Sequence, residues 1–132
     1  MSKNIPAAAK VVVIGGGVAG CSVAYHLSKF GWKDIVLLER DQLTSGTTWH
    51  AAGLIGQLGA SATITKLRNY SLNLYKQLEQ ETGLSTGLKQ NGSLTVATTN
   101  SRLDELKRQV TTAQLFNVEA NEVTKDLSLI HI

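Results

Sequence analysis

Three glycines on a fixed spacing, Gly15-x-Gly17-x-x-Gly20, constrain this chain more than any other feature. Before them stands Val11-Val12-Val13-Ile14, a β-branched run that reads as a buried parallel strand. After them a helix is expected from about Val18 to Phe30, with Val23, Ala24 and Leu27 as its apolar face and Gly31 as its stop. Ile35 to Leu38 reads as a second buried strand, closed by Glu39, which lies 19 residues beyond Gly20. Strand, glycine turn, helix, strand and terminal acid form a βαβ unit with a right-handed crossover, and together they match the dinucleotide-binding fingerprint. Each part has a physical task. Gly15 permits a sharp turn, Gly17 lets a pyrophosphate approach bare backbone, and Gly20 lets the helix pack close to the strand. The N–H groups of Val18 and Ala19 are expected to point at phosphate oxygens, aided by the helix dipole. Glu39 is expected to accept hydrogen bonds from a ribose and to repel a 2′-phosphate, which argues against NADP. The fingerprint does not choose between NAD and FAD.

Beyond the unit, residues 41–59 are rich in Gly, Ser, Thr and Ala. Long loops in compact domains are usually functional. A helix is expected from about Ile64 to Thr82, with Leu67, Tyr70, Ser71, Leu74 and Leu78 on one face and Gly83 as its stop. Leu88 to Thr98 reads as extended, with a turn at Asn91-Gly92. Ser101 is expected to cap a last helix from Arg102 to about Phe116, with Asp104 and Glu105 in its first turn.

Composition excludes several classes. With 132 residues, 42% of them hydrophobic, the chain is globular. Its net charge of +3 comes from scattered Lys and Arg, which gives no footprint for nucleic acid. The one cysteine, Cys21, allows no internal disulfide and no Cys-rich zinc site, and it reads as a packing residue. No apolar run is long enough to cross a bilayer, and residues 1–9 lack the pattern of a secretory signal. The expectation is a cytoplasmic protein with no metal and no membrane insertion. The last six residues, Leu127 to Ile132, read like a translated transposase end of the kind used to prepare DNA libraries. They are expected to be foreign to the gene.

The segment Ser45-Gly46-Thr47-Thr48-Trp49-His50-Ala51-Ala52-Gly53-Leu54 is the most specific part of a wider likeness. From Lys10 to Asp126 the chain resembles the dimethylglycine and sarcosine dehydrogenases of the D-amino-acid-oxidase-like FAD family. The resemblance implies an α/β, Rossmann-like FAD-binding domain, here incomplete, followed by the start of an α+β substrate domain. The boundaries it implies are a tail over 1–9, the first part of the FAD domain over 10–82, and entry into the substrate domain over 83–126. It also implies that His50 bonds covalently to the 8α-methyl carbon of the flavin, where a lone histidine would otherwise read as a hydrogen-bonded loop residue. Ser45, Gly46, Thr47 and Thr48 should offer backbone N–H and hydroxyl groups to the cofactor. Trp49, Ala51 and Leu54 should lie beside it, and Gly53 should allow its close approach. Arg40 is expected near the adenosine, with a solvated surface charge as the alternative. Arg68, Tyr70 and Tyr75 are read as core or surface residues.

The activity implied is oxidation of the C–N bond of an N-methyl amino acid by hydride transfer to flavin, giving an iminium that hydrolyses or passes its one-carbon unit to folate. A folate site, if present, would lie in a C-terminal region beyond this chain. An electron-transfer protein, or oxygen in oxidase relatives, would reoxidise the flavin. Catalytic acids and bases are expected outside these residues. Two rivals remain open: a non-catalytic regulatory relative of the same fold, in which the flavin-linking histidine is lost, and an NAD-dependent dehydrogenase.

Overall fold

A computed structural model describes residues 5–124. The expected foreign tail therefore lies outside the described residues. The chain divides into two compact units, 1–54 and 55–132.

The first unit is the βαβ motif. Strand β1 (Val11–Ile14) pairs in parallel with β2 (Ile35–Leu38), with Val11 opposite Ile35 and Ile14 opposite Leu38. Helix α1 (Val18–Lys29) connects them and packs on both strands. It closes as expected. Gly31 adopts a left-handed φ of 83°, and Trp32 N–H returns to the carbonyl of Leu27 at 3.0 Å. The ladder also continues one step past β1, because Gly15 N–H donates to the Leu38 carbonyl at 2.8 Å. The sharp turn after it, with Gly15 at a φ of 101°, brings α1 back over the strand. Close packing depends on Gly20, where a Cβ would run into the carbonyl oxygen of Gly15.

Two expectations for this unit need correction. The strands are parallel but only part-covered: Val12 and Ile14 are exposed, Ile14 to 84%, and β2 is half-buried throughout. Among the described residues the sheet has two strands and no third. On α1, Ala24 and Leu27 are half-buried, but Val23 lies exposed.

The second unit holds α2 (Ala62–Thr82) and α3 (Asn100–Gln114). Helix α2 starts two residues before its expected start, because Ser61 caps it, its hydroxyl accepting from Ile64 N–H at 3.3 Å. Gly83, left-handed at 69°, stops it as expected. Its buried positions are Thr65 and Leu72; of the predicted face Ser71, Leu74 and Leu78 are half-buried, while Leu67 and Tyr70 are exposed. Thr65 can be buried because its hydroxyl donates to the Ser61 carbonyl and accepts from Gly59 N–H, both at 3.0 Å.

Helix α3 begins earlier than expected, and its cap is Thr99, not Ser101. Thr99 sits in extended backbone, and its hydroxyl accepts from Arg102 N–H at 3.2 Å. Asp104 and Glu105 therefore fall beyond the first turn. Glu105 instead holds Arg108 through two contacts of 2.7 and 2.8 Å, with Gln109 at 3.0 Å. Those donors pull its carboxyl down to about 2, the Arg108 guanidinium contributing most. Helix α3 ends at Gln114, two residues short of Phe116, and the turn closes through left-handed Asn117, with Val118 N–H bonded to the Ala113 carbonyl at 3.0 Å. Residues 88–98 form no strand. Gly92 is left-handed at 77°, in keeping with the turn expected at Asn91-Gly92, and no ladder bonds flank it among the described residues.

Candidate functional site

The glycine turn and the loop after β2 are tied together at one corner of the first unit. The tie centres on Gly16, the only fully buried residue described in that unit. Its N–H donates to Glu39 Oε2 at 2.6 Å, and its carbonyl accepts from Thr44 N–H at 2.9 Å and from Cys21 Sγ at 3.4 Å. A Cβ at this position would lie 2.5 Å from Leu43 Cδ2 and 3.0 Å from Glu39 Cβ. Gly16 occupies a free position of the fingerprint, so spacing alone passes it over. The signal available was the unbroken run of three glycines, of which the fingerprint needs only the first and third.

Glu39 is thus a clasp. One carboxylate oxygen takes Gly16 N–H, and the other takes Asp41 N–H at 3.0 Å. These backbone donors, Gly16 first, hold its pKa below the ordinary glutamate range, with a smaller pull from the Arg40 charge. Each oxygen keeps a second lone pair for a hydroxyl donor. Arg40 itself is exposed.

The loop then turns through Thr44, whose left-handed φ of 66° is uncommon for a β-branched residue. Ser45 folds back on Gln42, its hydroxyl donating to the Gln42 carbonyl at 2.8 Å. Gly46 caps a single 3₁₀ turn over Thr47–His50. From that turn Thr48 reaches the glycine turn, its Oγ1 accepting Val18 N–H at 2.9 Å. Val18 N–H is therefore not free, as the sequence led one to expect. A Cβ on Gly17 would stand 3.0 Å from the same hydroxyl. The next two donors of the helix start, Ala19 and Gly20 N–H, have no acceptor among the described residues.

His50 is exposed and oriented by its own turn, its Nδ1 lying 3.0 Å from the Gly46 carbonyl. A carbonyl can only accept, so Nδ1 is the donor in this contact, and in a neutral ring that leaves the lone pair on Nε2. Trp49 and Leu54 are exposed, to 79% and 91%. Ala51 N–H closes on the Thr48 carbonyl at 3.2 Å, and Gly53 is left-handed at 71°. The structure thus joins Gly15, Gly16, Gly17, Val18, Glu39, Thr44 and Thr48 by bonds or direct approach. It leaves Arg40, Trp49, Ala51 and Leu54 on the open side of the same loop.

Residues 10–128 match the FAD dependent oxidoreductase (DAO) family. The chain belongs to that family. It is 48% identical over 121 residues to human mitochondrial sarcosine dehydrogenase, covering 91% of this chain and 13% of that protein. It is 50% identical over 103 residues to human mitochondrial dimethylglycine dehydrogenase, covering 78% of this chain and 12% of that protein. It is also 53% identical over 104 residues to the mouse mitochondrial pyruvate dehydrogenase phosphatase regulatory subunit, covering 79% of this chain and 12% of that protein. The chain therefore spans about an eighth of the length of these relatives.

The corner fits the diphosphate and ribose end of FAD. Two backbone donors stand without acceptors at the helix start, nothing lies within 4 Å of a Cβ position on Gly15, and an ionised carboxylate closes the neighbouring strand.

Proposed function

We propose that this chain is the amino-terminal part of an FAD-dependent enzyme that oxidises the C–N bond of an N-methyl amino acid, with the flavin attached to His50. The observation that carries the reading is the bonded corner itself: the loop bearing His50 is fastened to the dinucleotide fingerprint through Glu39, Thr44 and Thr48. An NAD enzyme has no use for such an attachment. Bound FAD would supply a two-electron acceptor for hydride from the carbon next to the amine nitrogen.

The chain's own residues do the placing. Ala19 and Gly20 offer N–H groups to phosphate oxygens, and Glu39 offers its remaining lone pairs to the ribose. Gly46 holds the His50 ring so that Nε2 carries the lone pair that attachment requires. Ser45, Thr47 and Gly53 line the approach. Reoxidation would fall to an electron-transfer protein or to oxygen, and residues 83–126 would lead into the substrate domain.

The likeness to a phosphatase regulatory subunit favours a second reading, a non-catalytic member of the family. Trp49-His50 speaks against it, since the resemblance implies that some regulatory relatives have lost the flavin-linking histidine. One measurement separates the two readings. The whole protein, expressed from its gene, should be yellow, and the colour should stay with the protein after acid precipitation. His50→Ala should bind flavin that acid releases. A whole protein without colour would overturn the enzyme reading, and colour surviving acid in His50→Ala would overturn the attachment.

A further inference from the structure

We infer that Thr48 is a positioning residue: its hydroxyl, rather than a phosphate oxygen, is the standing partner of Val18 N–H, and this one bond sets where the His50 turn sits. The inference rests on the reading of His50 as the attachment site. Four observations carry it. Thr48 Oγ1 accepts from Val18 N–H at 2.9 Å. Thr48 is the only half-buried residue between 40 and 56, where every neighbour is exposed. Its hydroxyl faces Gly17, so a side chain there would crowd it at 3.0 Å. Finally, the other two ties, Glu39 to Gly16 and Thr44 to Gly16, enter the loop four residues or more before Thr48. Among the described residues the 3₁₀ turn carrying His50 thus has one bond to the fingerprint, and it belongs to Thr48.

Two consequences follow from the chemistry of a hydroxyl. Accepting from Val18 leaves the Thr48 O–H free to donate outward, so the turn can still present a donor at the position where Val18 N–H is covered. Removing the hydroxyl frees a backbone donor and unfastens the turn together. The glycine turn then still binds a diphosphate through Ala19 and Gly20, but His50 is no longer held in place. Binding and attachment should separate.

The test uses the whole protein with Thr48→Val, Thr48→Ala and Thr48→Ser. Hydrogen exchange of the peptide containing Val18, followed by mass spectrometry without added flavin, reads the bond directly. Exchange at Val18 should quicken about tenfold in the valine and alanine variants and return to the parent rate in the serine variant. Flavin content is then measured before and after acid precipitation. Total flavin falls as well, because the Thr48 hydroxyl also faces the cofactor, but the acid-stable part should fall about tenfold further in valine and alanine and recover in serine. Unchanged Val18 exchange in both variants overturns the inference, as does acid-stable flavin that falls only in step with total flavin. Alanine removes volume where valine only changes polarity, so misfolding of one variant leaves the other to decide. A parent protein with no acid-stable flavin would overturn the reading of His50, while the exchange result would still decide whether Thr48 holds Val18.

Discussion

Glu39 does a task at the residue scale that the fingerprint alone does not assign. The pattern gives it a ribose to hold, but the structure also gives it two backbone N–H groups to hold, on Gly16 and Asp41. Those bonds exist only with the ionised carboxylate as a full acceptor, and they lower its folded pKa. The sign follows. A carboxyl with a depressed folded pKa adds stability that is fully present above its unfolded value, about 4.3 for glutamate, and lost as pH falls through the lower folded value. The corner should therefore stay fastened at neutral pH and open under acid, below the ordinary carboxylate range. Hydrogen exchange at Gly16 and Asp41, corrected for the intrinsic effect of pH, should rise as pH falls below about 4. In Glu39→Gln the same exchange should be faster at pH 7 and nearly free of that pH dependence. A parent protein whose Gly16 exchange shows no acid limb would contradict the clasp.

Among elements, legibility followed how local the deciding physics is. The βαβ unit was readable because its signals lie in short sequence: β-branched runs, a glycine turn with room for one conformation, and Gly31 ending the helix. Helix α2 was readable in extent but only partly in facing. Thr65 is buried because Ser61 and Gly59 satisfy its hydroxyl, and such a match is invisible to an apolar periodicity. The loop over 39–50 was legible as a site through resemblance, while its ties to Gly16 and Val18 were not, since they join residues about 23 to 30 positions apart. The cap of α3 shows the limit at a boundary. Thr99 and Ser101 both carry a capping hydroxyl, and only backbone conformation separates them: Thr99 is extended and Ser101 already helical. Thr99→Ala should cost about 1 kcal/mol of stability, whereas Ser101→Ala should be within about 0.5 kcal/mol of neutral. Denaturant melts of the two variants would check this, and an equal loss in both would count against the assigned cap.

Burial at the scale of the whole molecule is scarce and unevenly shared. The buried apolar residues described are Leu72, Ala113 and Val118, all in the second unit, while the first unit buries only Gly16 fully. Its strands instead leave Val12 and Ile14 exposed, and Trp49 and Leu54 stand out from the loop. Hydrophobic burial gives roughly 25 cal/mol per Å². Ordering each residue costs on the order of 1 to 2 kcal/mol of backbone entropy. A two-stranded sheet with one open apolar face cannot offset that cost by much. The corner that would hold FAD therefore has little apolar burial of its own among the described residues. Prepared alone, these 132 residues should melt without a cooperative transition, with far-UV and near-UV signals failing to coincide, and should bind the dye ANS strongly at 25 °C. Added FAD should raise neither the midpoint nor the cooperativity, because stabilisation grows as RT ln(1 + [L]/Kd) and a sparsely populated corner binds with an apparent Kd above the FAD concentration supplied. A sharp, coincident melt that shifts upward with FAD would mean that the βαβ corner folds and binds by itself. The exposed face of β1 would then have to be tolerated by the fold.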